Sequence, residues 1–168
     1  MAYQDHFRLA DDMIIHLNTI IASVSDPFIT SRYVGFVAVT AVTVYELAIK
    51  DVFFDFGNKK HKVLGTFTRS YFDRINGRIK IQIIRDEYVR RFGDKYVTRF
   101  KKKIEETEEL NIRLHGRSIQ SSYNNIIIWR NEFAHEGKIP GTVTYNEVTA
   151  SYEVGKEVIK CLAETMYR

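Results

Sequence analysis

"YVGFVAVTAVTVYELAIKDVFFDF" runs from Tyr33 to Phe56, and its reading decides the fold. It is crowded with valine and threonine, whose branched Cβ atoms favour extended chain. Composition alone would divide it into strands. However, nothing in it signals a turn, and strands rarely run beyond four to eight residues without one. The stretch therefore reads as one long, buried helix from about Phe28 to Phe56, closed by Gly57-Asn58. Its most apolar part, Tyr33 to Tyr45, is bounded by Arg32 and Glu46. That is shorter than the roughly 20 apolar residues needed to span a bilayer, so no membrane partner is expected.

The flanks read in the same way. Upstream, from about Tyr3 to Ser25, Phe7, Ala10, Met13, Ile14, Leu17, Ile20 and Ile21 recur every three or four residues, as in an amphipathic helix. "SDP" breaks that helix and sets Pro27 just inside the next one. Downstream, "NKKHKVLG" reads as a basic loop and "TFTRSYFDRI" as a short helix closed by Asn76-Gly77. From Arg78 to Lys103, Ile81, Ile84, Tyr88, Phe92, Tyr96 and Phe100 keep helical spacing, with Gly93 as a point of interruption. "EETEELN" and "RLHGRS" follow. A fifth segment spans about Ser118 to Glu136, and "GKIPGTV" is a loop. Thr144 and Glu147 then form a capping-box pattern opening a last helix to about Met166. The two prolines, Pro27 and Pro140, both fall at element boundaries. The expectation is an all-α bundle of five to six helices in a single domain over residues 1–168.

Composition narrows the class. A chain of 168 residues with 45% apolar and 13% aromatic content can bury a sizeable core. Cys161 is the only cysteine, which excludes an internal disulfide and cysteine-based zinc sites and fits a reducing, cytoplasmic setting. The start, "MAYQDHFRLADDM", has no apolar signal-peptide core. Net charge is +4 with a pI near 9.1, which permits a polyanionic partner. Ten basic and three acidic residues lie between Arg78 and Lys103. They read either as a solvated helix face or as a stripe following a phosphate backbone, with Arg90 and Arg91 as candidate contacts. Lys59, Lys60 and Lys62, around His61, form a second basic candidate. Tyr88, Tyr96 and Phe100 interleave with the charges, at a spacing that suits a core-facing stripe.

Most familiar catalytic signatures are missing. There is no phosphate-cradling glycine loop, no Gly-x-Ser-x-Gly elbow and no His-Glu-x-x-His, so neither a metal nor a cofactor is called for. Asp51 and Asp55, and Asp86 and Arg90, stand four apart and can share helix faces. Glu46, inside the apolar helix, needs a partner: it either pairs structurally with an arginine or histidine or lines a site.

What remains is "IIIWRNEFAHEG", Ile126 to Gly137. On a helix, Asn131 and His135 share a face, and the long stem of Arg130 can swing towards it. Gly137 puts His135 in the last turn, where a cation is favoured by the backbone dipole. The residues can thus simply finish a helix. They also suit the cleavage of RNA without a metal. That reaction needs proton transfer at the 2′- and 5′-oxygens, for which histidine is suited, and stabilisation of a crowded phosphorane, for which arginine is. One histidine per chain is thin for both proton steps, but a two-fold dimer would bring two.

The order Arg-Asn-Glu-Phe-Ala-His, near the end of a late helix in a small all-α bundle, resembles the signature of the HEPN superfamily. The resemblance implies a homodimer with a composite site at its interface. It also implies metal-independent endoribonuclease activity in toxin–antitoxin, abortive-infection or other anti-phage systems, with an antitoxin or defence protein as possible partner. Carried over, Arg130 and His135 are catalytic and Asn131 orients the site or contacts phosphate. Some relatives carry, two places after the histidine, a tyrosine that a partner nucleotidyltransferase modifies; here that place is Gly137, so that partner is not carried over. Other relatives are noncatalytic scaffolds, and a noncatalytic module binding nucleic acid or protein is the alternative.

Overall fold

The computed structural model describes residues 2–138 and 141–167. Its elements are α1 (Ala2–Asp5), α2 (Phe7–Ile20), α3 (Pro27–Lys60), α4 (Lys62–Phe72), α5 (Ile81–Ile83), α6 (Asp94–His115), α7 (Ile119–Glu136) and α8 (Tyr145–Met166). A 3₁₀ turn, Ile21–Ser23, extends α2. A π-helical turn, Ile84–Tyr88, and a 3₁₀ turn, Val89–Phe92, prolong α5. The protein is all-α, with no strand among the described residues and slightly more helices than the five to six expected.

The valine-rich stretch forms one continuous helix. Asp26 caps α3 by accepting from the Phe28 N–H at 2.8 Å, and Pro27 occupies its first turn. At 34 residues, α3 is about 51 Å long. It is the element against which the others pack. α2 runs antiparallel to it, with His6 bonded to Asp51 and Phe7 edge-on to Tyr45. α7 is also antiparallel, with Tyr123 stacked on Tyr45 at 5.1 Å. α8 runs parallel to it, and Tyr45 donates to the Tyr152 carbonyl. The core joins Val37, Ala41, Val44, Ile49 and Val52 of α3 to Ile126 of α7 and Val158 and Leu162 of α8. Phe53, Phe56, Phe72, Tyr88 and Phe92 form an aromatic wedge at its far end. Among the described residues, no helix is long and apolar enough to cross a membrane.

Several boundaries differ from the sequence reading. Gly57-Asn58 does not end α3, which runs on to Lys60. Gly57 serves packing instead: a Cβ there would collide with the Thr68 hydroxyl of α4. "NKKHKVLG" is therefore not a loop. The break falls on His61 alone, whose extended backbone and Nδ1, accepting from Val63 N–H, start α4 at once. α4 begins at Lys62 and ends at Phe72, earlier than the Asn76-Gly77 closure, although both those residues do adopt positive φ in the turn that follows. The stretch from Arg78 to Lys103 is not one helix. Residues 78–80 are non-helical, and Gly93, at φ 109°, separates the irregular α5 region from α6. α6 then absorbs "EETEELN" and continues to His115. Of the stretch "GKIPGTV" expected as a loop, Ile139 and Pro140 lie outside the described residues.

Candidate active site

α7 carries the Arg-Asn-Glu-Phe-Ala-His run, and its ends are fixed by its own sequence. Ser118 caps the start by accepting from Ser121 N–H, while Glu108 of α6 accepts from the Ile119 and Gln120 N–H groups. Gly137, at φ 65°, closes the end. The buried Tyr123 donates from its hydroxyl to the Ile79 carbonyl at 2.8 Å, tying α7 to the segment before α5. Burial pushes the Tyr45 and Tyr123 phenols well above their usual range, so both remain hydrogen-bond donors.

Arg130 is half-buried, and Nη1 donates to Asn131 Oδ1 at 2.9 Å. The guanidinium has swung towards the Asn131 face. Its other neighbour is the turn after α4: a Cβ on Gly77 would stand 3.4 Å from Arg130 Nη2. That turn is held by Glu46. Glu46 Oε2 accepts from Gly77 N–H at 2.5 Å, and Oε1 pairs with Lys50 at 2.8 Å. Glu46 is thus structurally paired, with a lysine and a backbone amide in place of the arginine or histidine expected. It stands one turn residue away from Arg130.

His135 is exposed in the last turn and has no hydrogen-bond partner among the described residues. Five positions separate it from Arg130, about 140° around the helix and 7.5 Å along it. Within one protomer no hydrogen bond joins the two. Arg32 of α3 reaches the same helix end, where Nη1 donates to the Gly137 carbonyl at 2.6 Å and the guanidinium lies over the Phe28 and Phe133 rings. Beside Asn131 a cavity of about 400 Å³ opens between α7 and the α5 region, lined by Asn124, Ile128, Lys80 and Arg85 among others.

The other candidates lie elsewhere. Lys59 and Lys60 end α3, 27 residues beyond Arg32, which is about 40 Å along the helix. Lys59 sits over the Tyr167 ring and Lys60 over Phe56, and Lys62 opens α4. Arg90 is paired with Asp86 and Asp94, and Arg91 lies over Tyr71. Asp51 holds His6, and Asp55 accepts from the Tyr167 hydroxyl. Among the described residues, no three His, Cys, Asp or Glu side chains cluster as metal ligands would. Sequence reasoning missed Arg32, Lys80 and Arg85, which join the region only through the fold. It also missed Asn124, which a seven-residue step back from Asn131 would have found.

No curated protein and no solved structure matches the chain. The sequence model of one family does, over residues 3–168, nearly the whole chain and the entire bundle described above. With its all-α architecture and the motif placed at the end of α7, the chain belongs to the RiboL-PSP-HEPN family, whose HEPN domain is a nuclease or nucleotide-binding module.

Proposed function

We propose that the protein is a metal-independent endoribonuclease that acts as a homodimer, residues 1–168 forming one HEPN-like domain per copy. HEPN domains commonly dimerise and act on RNA, which supports this reading. The observation that carries it is the state of the motif. Arg130 is oriented by Asn131 and the Gly77 turn, while His135 stands exposed and unpartnered. A helix end built only for stability would not need the first, and a second copy would complete the second. Exposed apolar side chains surround this end of the molecule: Phe36 and Ile128 are each 49% exposed and Phe28 is 62% exposed. Exposed apolar side chains of this kind are what an interface uses.

In the proposed reaction one His135 takes the proton from the 2′-hydroxyl, whose oxygen attacks the adjacent phosphorus. Arg130 stabilises the dianionic phosphorane. The 5′-oxygen leaves with a proton from the second copy's imidazole, giving a 2′,3′-cyclic phosphate and a 5′-hydroxyl end. Asn131 and Glu46 position the guanidinium. The biological setting that fits is a toxin–antitoxin or anti-phage system in the cytoplasm, with an antitoxin or defence protein restraining the nuclease.

The test is cleavage of RNA in EDTA. Arg130→Ala and His135→Ala are each expected to lose about 10²–10⁴-fold in rate, with the fold retained by circular dichroism. Unchanged cleavage in both, or a monomer at all concentrations that still cuts, refutes the assignment. Salt-dependent RNA binding without product, surviving His135→Ala, marks a noncatalytic module instead.

A further inference from the structure

The turn that seats Arg130 has a second side. There, α4, the turn and Tyr88 of the π-helical turn line an open cavity of about 400 Å³ between Phe67, Tyr71, Arg74, Arg78 and Tyr88. Three features of it are chemical in character. First, Phe67 is 56% exposed, and its ring lies nearly parallel to that of Tyr71, at 12° and 6.4 Å between centroids. Second, arginines surround this aromatic pair. The Arg91 guanidinium is 4.3 Å from the Tyr71 ring centre, and Arg74 is exposed with no ion pair or hydrogen bond among the described residues. Third, Arg78 is held in place: it is paired through both oxygens of Glu87 at 3.0 and 2.9 Å, and its carbonyl accepts from the Tyr88 hydroxyl at 2.8 Å. Glu87 is the one carboxylate bonded to these three arginines among the described residues.

An exposed ring beside uncompensated guanidinium groups matches a ligand with a flat face and a phosphate on the same short unit. A nucleotide has both, and its base face is free only when it is unpaired. Arg78, which lines the cavity, directly follows Gly77, the residue against which Arg130 lies, so one turn carries both the cavity wall and the seat of Arg130. We propose that this cavity is a base-stacking subsite, which makes single-stranded RNA the substrate. Phe67 and Tyr71 hold an unpaired base near the scissile phosphate, and Arg74 holds a flanking phosphate. The subsite rests on the endoribonuclease reading for its role in cleavage, but not for its ligand.

The experiment uses the full chain and a fluorescent 2′-O-methyl RNA, which this chemistry cannot cut. Its affinity is measured by anisotropy as a single strand and as a duplex with its complement. Phe67→Ala is expected to weaken the single strand by about 5- to 100-fold, the usual range for one stacked base, and to leave the duplex unchanged. Phe67→Leu keeps the apolar bulk, so it carries the test if the alanine variant is destabilised, and the same loss is expected. Arg74→Ala should lower the dependence of log K on log salt by about 0.7. Unchanged single-strand affinity in the Phe67 variants, or an equal loss for the duplex, overturns the proposal. So does wild-type binding by Phe67→Leu, which marks an apolar protein-docking site. Cleavage that needs Arg130 and His135 but ignores Phe67 refutes the subsite alone. Phe67-dependent binding with no cleavage by the wild type refutes the nuclease reading alone.

Discussion

Gly35→Ala probes the contact that sets the distance between α3 and α7. A methyl at Gly35 would fall well inside van der Waals distance of the Phe133 ring. The ring has little room to retreat, since Phe36 meets it edge-on at 5.8 Å and Arg32 covers it at 5.7 Å. Two opposing terms decide the outcome. Replacing a mid-helix glycine by alanine gains about 1 kcal/mol of helix propensity. Overpacking a filled site costs about 1–3 kcal/mol. The single variant should therefore lose about 0–2 kcal/mol, or up to about 8 °C in Tm for a chain of this size. The informative quantity is the coupling with Phe133→Ala, which removes the ring together with the Cγ that the new methyl would also meet. With the ring removed, only the propensity gain remains, so the double-mutant cycle should return about 1–3 kcal/mol of favourable coupling. Urea melts of the four proteins measure it. Coupling within about 0.5 kcal/mol of zero would refute the steric account, because the two residues would then behave as independent sites.

Three further outcomes follow from particular contacts. Thr144→Ala removes the hydroxyl that accepts from Glu147 N–H at the start of α8 and should cost about 1 kcal/mol in a thermal melt; no change would mean that the cap is replaced by water. Glu46→Ala strands the Gly77 N–H and Lys50 and should cost about 1–3 kcal/mol, with faster amide exchange at Gly77, whereas Glu46→Gln keeps an acceptor and costs less; equal losses would contradict the account. Burial pushes the Cys161 thiol up to about 11 from a usual value of 9.0. Between those values the unfolded thiol releases a proton that the folded one keeps, so rising pH should erode stability across that window, and less so in Cys161→Ala. The native thiol should also resist iodoacetamide at pH 8, reacting only on unfolding.

Legibility in the sequence followed the strength of local chemistry. α7 and α8 were readable almost to the residue because Ser118, Gly137 and Thr144 are residues that caps require. The end of α3 was not. Gly57-Asn58 has the form of a stop, but Gly57 is there to let Thr68 approach, and the true break is a histidine that seldom caps helices. The π-helical turn at Ile84–Tyr88 keeps an apolar spacing close enough to α-helical that periodicity could not separate them. At the site, the motif was legible because its residues are neighbours in the chain. Its supports were not: Arg32 meets Gly137 across 105 residues, and the Gly77 turn meets Glu46 across 31. Phe67 carries no signal of its own within "TFTRSYFDRI", and only the fold shows that its ring is exposed.

The composition of α3 has a kinetic consequence. Its valines and threonines lose side-chain freedom in a helix. Separated from its neighbours, Pro27–Lys60 would be a poor helix and, with its run of apolar β-branched residues, prone to strand-like association. Its helicity is therefore conferred by docking. α2, α4, α7 and α8 all pack on it, and several of the contacts that fix it, such as Tyr45 with Tyr152, join residues more than a hundred positions apart. During synthesis α3 emerges well before α7 and α8 exist to cover it. The nascent chain must hold its most aggregation-prone segment uncovered until the last helices arrive, which makes completion of the C-terminal pair the event that commits the molecule to its fold.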